Sequence, residues 1–135
     1  MKNFNYIPYI KSLVKFMLKH GFTLKPLPKI ILNTQKQNGL FIMTGHYDYI
    51  NNEVTVYIRD RHPKDVLRSL AHELIHHKQN VEGRLTDELT MPTEITEDEN
   101  VVPFEMEAYL QGNIAFRSWT ELYSQLPTNE FVGLS

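Results

Sequence analysis

The sequence predicts one α+β domain over residues 1–135. Three observations lead there. Apolar residues recur at helical spacing near the N-terminus and again over 63–80. Between them lie short β-branched runs separated by turn signals, and a further helical stretch follows. The expected order is an N-terminal helix, a small, mostly antiparallel sheet of about three strands, a long amphipathic helix and a C-terminal helix.

The first helix runs from about Tyr9 to His20, with Ile10, Leu13, Val14, Met17 and Leu18 on one side and Gly21 as its stop, since glycine accepts the left-handed conformation of a C-cap. After Pro26 and Pro28, the run Lys29–Gln35 holds Ile30, Ile31 and Leu32 and reads as a strand. Asn38-Gly39 marks a turn. Leu40–Tyr49 and Glu53–Arg59 read as two further strands around Asn51-Asn52, the second with Val54, Val56 and Ile58 on one face and Thr55 and Tyr57 on the other. Pro63 suits a first helical turn, and Asp65 there complements the helix dipole. Val66, Leu67, Leu70, Ala71, Leu74 and Ile75 continue an apolar stripe to about Asn80. From Val81 to Val102 an irregular acidic connection is expected, holding Glu82, Asp87, Glu88, Glu94, Glu97, Asp98 and Glu99 against Arg84. It reads as a solvated face, or as a charge that favours basic substrates. Pro103 opens the last helix, to about Ser118, with a shorter helical piece from Trp119 to Leu126 and a frayed end.

Composition narrows the function classes. Hydrophobic residues are 41% and charged residues 22% of the chain, as in globular domains with a core of their own. The net charge of −2 gives no general attraction to nucleic acid or anionic lipid. With no cysteine there is no disulfide framework and no thiolate metal ligand, so a metal must rest on His, Asp or Glu. No run has the length of a spanning helix. Lys11, Lys15 and Lys19 interrupt the first apolar stretch, which lacks a cleavage site for a signal peptide. A cytoplasmic location is expected, or a phage-encoded protein acting in the host cytoplasm or carried in the virion.

The chemistry lies in His72-Glu73-Leu74-Ile75-His76, an H-E-x-x-H pattern. Residues four apart lie one above the other on a helix, so both imidazoles can reach one cation, and Glu73 can approach a water beside it without ligating. Zinc suits the imidazole pair, and one ion is expected. Such a site needs a third protein ligand and an open position. No histidine follows His77, so the ligand is a carboxylate. Glu107 is the first choice: it lies 31 residues after His76, and its neighbours Ala108 and Gln111 allow two helices to approach. Glu105, near a helix start where acids are favoured in any case, and an acid of the connection are the alternatives. Tyr109, Tyr123, His46 and His77 are candidates to stabilise an oxyanion, with Tyr109 paired to Glu73 in the expected catalytic set. His77 otherwise reads as a surface residue, as do His20, His46 and His62 in loops or turns. Trp119, with Phe116 and Tyr123, reads as core.

The H-E-x-x-H of His72 to His76 with Glu107-Ala108 downstream resembles the gluzincin branch of zinc metallopeptidases, which includes thermolysin-like enzymes and the small ImmA/IrrE-type and minimal gluzincins. The resemblance covers about Val54 to Gly112. It implies a zincin-like fold in which an active-site helix carries both histidines and the general base Glu73, and a glutamate helix carries the third ligand. It implies peptide or protein substrates and Glu53–Arg59 as the edge strand that pairs with an extended peptide; the charge balance adds the expectation of no nucleic-acid or membrane partner. In the thermolysin pattern an Asp four residues after the ligand Glu supports a histidine, where this chain has Gln111. The small size resembles the short peptidases of bacteria and bacteriophages. Peptide deformylases share H-E-x-x-H but use a cysteine, absent here. The competing class is a metal-binding structural or interaction protein of the same fold without activity.

Overall fold

The structure, a computed structural model, describes residues 4–37, 39, 42–85 and 102–124, with the side chains of 102, 123 and 124 left aside. Its elements are α1 (Ile7–Lys19), β1 (Lys29–Asn33), β2 (Gly45–Asp48), β3 (Glu53–Tyr57), α2 (Pro63–Val81) and α3 (Val102–Ser124). The α+β class stands. Helix α1 buries Tyr9, Leu13, Val14 and Met17 at the expected spacing, and Gly21 past its end takes φ of +89°.

The sheet is mixed, not mostly antiparallel. Its order is β1-β3-β2, with β1 parallel and β2 antiparallel to β3. A parallel pair needs a long connection, and here that connection contains β2 itself. The register explains why the arrangement is stable. Ile30 and Leu32 of β1 stand beside Val54 and Val56 of β3, and Gly45 and Tyr47 of β2 stand beside Val56 and Val54. All three strands therefore present their apolar or small residues to the helices on one face. The expectation that Glu53–Arg59 forms an edge is overturned, because β3 is central. The turn after β2 is built by the Asp48 carboxylate, whose Oδ1 accepts from the amides of Ile50 at 3.0 Å and Asn51 at 3.1 Å. Asn52 then adopts φ of +54°, which asparagine tolerates.

Helix α2 is the centre of the core. His62 caps it by accepting from the Lys64 amide at 3.0 Å. Val66, Leu67, Leu70, Ala71, Leu74 and Ile75 are buried, and the helix touches β2, β3, α1 and α3. Helix α3 runs unbroken through Trp119, where a separate piece was expected. Trp119 is buried and its indole N–H donates to Ser12 Oγ at 3.0 Å, so the same face continues onto α1. The acidic connection falls largely on residues 86–101, outside the described residues. Among the described residues no helix is long and apolar enough to cross a membrane.

His77 is not on the surface. It is fully buried and ties α2 to the chain before β1. Its Nε2 lies 3.0 Å from the Leu24 carbonyl and 2.7 Å from that of Pro26, so this nitrogen must carry a proton. In the neutral ring Nδ1 then accepts from the Tyr47 hydroxyl at 2.8 Å, and Asn80 Nδ2 donates to the same hydroxyl at 2.9 Å. Substituting phenylalanine for His77 takes one of its partners from the Tyr47 hydroxyl and removes the donor that serves the Leu24 and Pro26 carbonyls. His77→Phe is expected to lose about 1–3 kcal/mol in urea unfolding; a loss below roughly 0.5 kcal/mol would show the network to be dispensable.

Candidate metal centre

Helix α2 sets His72 and His76 on consecutive turns, and their rings stand edge to face with centroids 5.0 Å apart. Ligand-capable atoms of His72, Glu73 and His76 lie within 4.8 Å of one another. The carboxylate that comes closest to both imidazoles is Glu105. Its Oε1 is 2.7 Å from His76 Nε2 and its Oε2 is 3.5 Å from His72 Nε2. Glu107 faces away from the histidines: it receives Arg84 on both oxygens, at 2.8 and 2.9 Å, and Gln79 Nε2 at 3.0 Å. The structure thus brings together His72, Glu73, His76 and Tyr109 of the expected set, replaces Glu107 by Glu105, and gives Glu107 a different neighbourhood.

The reason is the phase of α3. Its buried residues are Ala108, Gly112, Ala115, Phe116 and Trp119. Stepping back three from Ala108 reaches Glu105, whereas Glu107, two residues on, stands about 200° round the helix from Glu105. This three-and-four spacing of small residues is the signal in the sequence that would have selected Glu105. Gly112 is where the helices touch. A Cβ there would lie 3.0 Å from His72 Cα and 3.1 Å from its amide nitrogen. A second glycine makes room for the base: a Cβ on Gly45 would lie 3.0 Å from both Cγ and Oε2 of Glu73. Strand β2 therefore passes against the Glu73 carboxylate.

The cleft has a volume of about 110 Å³, and its walls include Thr44, Ser69, Tyr109 and Asn113 around the ionisable cluster. Arg61, which the sequence did not single out, holds one wall. Its guanidinium donates to the carbonyls of Thr44 at 3.1 Å and Tyr57 at 2.7 Å and to Ser69 Oγ at 2.7 Å. The Tyr109 ring packs on His72 with centroids 4.3 Å apart. Burial raises its pKa, and the Glu105 and Glu73 carboxylates add to the effect, so the phenol keeps its proton. Of the other oxyanion candidates, His77 is committed to the core network. His46 lies between the inward-facing Gly45 and Tyr47 and does not line the cleft. The Tyr123 side chain lies outside the described residues.

Electrostatics divide the two acids. Burial raises the Glu73 pKa, a shift that the neighbouring histidines moderate. For Glu105, burial works upward too, but the hydrogen bonds and charges of His72 and His76 outweigh it and hold the carboxyl at about 2. Burial works to lower the His76 pKa, and the Glu105 hydrogen bond overcomes it, so the net shift is upward. Two imidazole Nε2 atoms and one ionised carboxylate converging without a thiol are a donor set that fits zinc. Each Nδ1 has its own surroundings: that of His76 lies 2.9 Å from Gln79 Oε1, while that of His72 is buried without a hydrogen-bond partner among the described residues. Comparison with family models, with curated proteins and with solved structures finds no match.

Two outcomes follow. Gly112→Ala forces α3 off the His72 backbone; the expected cost is about 1–3 kcal/mol in urea unfolding, with weakened zinc uptake. An unchanged midpoint and affinity would mean that the contact yields freely. In chelator-treated protein the His76–Glu105 pair sets a pH window. The raised His76 pKa gives stability that is complete below about 6.5 and is lost as pH rises through the folded value. The depressed Glu105 pKa gives stability that is complete above about 4.3 and is lost as pH falls towards the folded value of about 2. Urea midpoints should therefore be highest between about pH 4.3 and 6.5, and Glu105→Gln should flatten both flanks; equal profiles for the two proteins would refute the pairing.

Proposed function

We propose that this chain is a zinc-dependent peptidase on the gluzincin plan, with His72, His76 and Glu105 as metal ligands and Glu73 as general base. The observation that carries the reading is the Glu105 carboxylate, which meets the Nε2 atoms of both H-E-x-x-H histidines at 2.7 and 3.5 Å from a separate helix. A bound zinc ion would supply a Lewis acid that acidifies water and polarises a scissile carbonyl.

The chain's own residues supply the rest. Glu73 is held against Gly45 at the cleft wall, where its carboxylate can accept a proton from the attacking water and deliver it to the leaving amine. Tyr109, which lines the cleft and keeps its proton, would donate a hydrogen bond to the oxyanion. Strand β2 passes Glu73 and pairs only with β3 among the described residues. Its other edge offers backbone donors and acceptors to an extended substrate, the role that the family resemblance had implied for β3. The substrate class is a peptide or protein, and the zincin-like fold and cytoplasmic setting belong to the same proposal.

The test compares wild type, Glu73→Gln and Glu105→Ala. Wild type should bind one zinc ion and cleave peptide mixtures. Glu73→Gln should retain the metal while losing about 10²–10⁴-fold in kcat/KM. Glu105→Ala should lose the metal. Equal cleavage by wild type and Glu73→Gln would rule out the assigned base, and a zinc-loaded wild type that cleaves nothing would favour a purely structural metal site.

A further inference from the structure

Glu107, displaced from the histidines, sits at the end of a chain of polar contacts that leads back to them. Arg84 grips both its oxygens at 2.8 and 2.9 Å. Gln79 Nε2 donates to Glu107 Oε1 at 3.0 Å and to the Phe104 carbonyl at 3.1 Å. Gln79 Oε1 lies 2.9 Å from His76 Nδ1. Gln79 is fully buried, so an amide turned the other way would point its oxygen at a carboxylate and a carbonyl with no water to relieve it.

Both neighbours of the amide nitrogen are pure acceptors, and this fixes the orientation of the amide. The oxygen must face His76, and an oxygen there requires a proton on Nδ1. In this structure Nε2 meets the Glu105 carboxylate at 2.7 Å and donates to it; a cation taking the place of that proton would find the lone pair on Nε2, because the remaining proton is kept on Nδ1. We propose that Arg84 and Glu107, acting through Gln79, are positioning residues that hold His76 in the tautomer a metal ligand needs. The proposal rests on the metal reading above. It also gives this site a support drawn from α2 itself, three residues after His76; with Glu105 in the ligand's place, the position four residues on, where the thermolysin pattern has an acid, is Tyr109. Glu107 contributes by keeping the Gln79 amide from turning, and Arg84 contributes by holding Glu107 against it.

The relay is tested on the full-length chain by zinc affinity in competition with a chromophoric chelator. Long-range proton–nitrogen spectra of the zinc-loaded protein report where the His76 proton sits. Gln79→Leu should weaken zinc binding about 10–100-fold. Glu107→Leu frees the amide to turn; it should weaken binding in the same sense by roughly tenfold and should blur the Nδ1 proton signal. Glu107→Gln keeps an acceptor for Gln79 Nε2 and should return most of the affinity and the wild-type spectrum. Arg117→Ala, at an exposed ion pair on the same helix, should change neither. If Gln79→Leu does not fold, the contrast between the two Glu107 variants still decides, because that side chain is at the periphery. A wild type that takes up no zinc would bring down the metal reading and the relay with it. A wild type that binds zinc while Glu107→Leu matches it in affinity and spectrum would overturn the relay alone.

Discussion

The docking of α3 on α2 at Gly112 is the constraint on which the rest of the site depends. Without a side chain at that position the second helix comes within van der Waals reach of the His72 backbone. Two turns earlier on the same face, that closeness delivers Glu105 to the imidazoles. One turn after Glu105, it lays Tyr109 against the His72 ring. Electrostatics reinforce the packing but do not replace it: the Glu105 carboxylate is ionised and held between two histidines because the backbones have already been brought together.

The sheet positions the other partner of the chemistry. β3 at its centre gives α2 an apolar floor in Val54 and Val56, and β2 at its edge carries Gly45 past Glu73. The buried link from Tyr47 through His77 to the carbonyls of Leu24 and Pro26 holds β2, α2 and the approach to β1 in one register. Adjacent histidines on one helix thus have opposite duties. His76 turns to the cleft and His77 to the interior, as the 100° step between neighbours dictates.

Much of this was legible in the residues. The H-E-x-x-H spacing places two imidazoles on one face of any helix, and the stripe from Val66 to Ile75 declares a helix there. The alternation of Val54 and Val56 declares a strand. What the sequence could not rank was a choice that depends on how elements meet. Parallel pairing of β1 with β3 depends on the path of the intervening chain, which local pattern does not record. Glu105 and Glu107 differ only in helical phase, and phase is fixed by what α3 packs against. The small residues Ala108, Gly112 and Ala115 carried that information. Reading Ala108 as a neighbour of Glu107, and not as a member of a contact face, pointed to a carboxylate two residues away from the one that meets the histidines. His77 shows the converse limit: a polar residue beside the H-E-x-x-H pattern reads as solvated until a hydroxyl and two carbonyls are found around it.

A site shared between two helices has a particular kind of fragility. Glu105, Glu107 and Tyr109 all ride on α3, while His72, Glu73, His76 and Gln79 ride on α2. Any excursion that lifts one helix from the other takes Glu105, the Tyr109 phenol and the Glu107 contact with Gln79 away from the histidines together. The lifetime of the assembled centre is then the residence time of one helix on its neighbour, and slow exchange of the α3 amides near Gly112 is the natural clock for it.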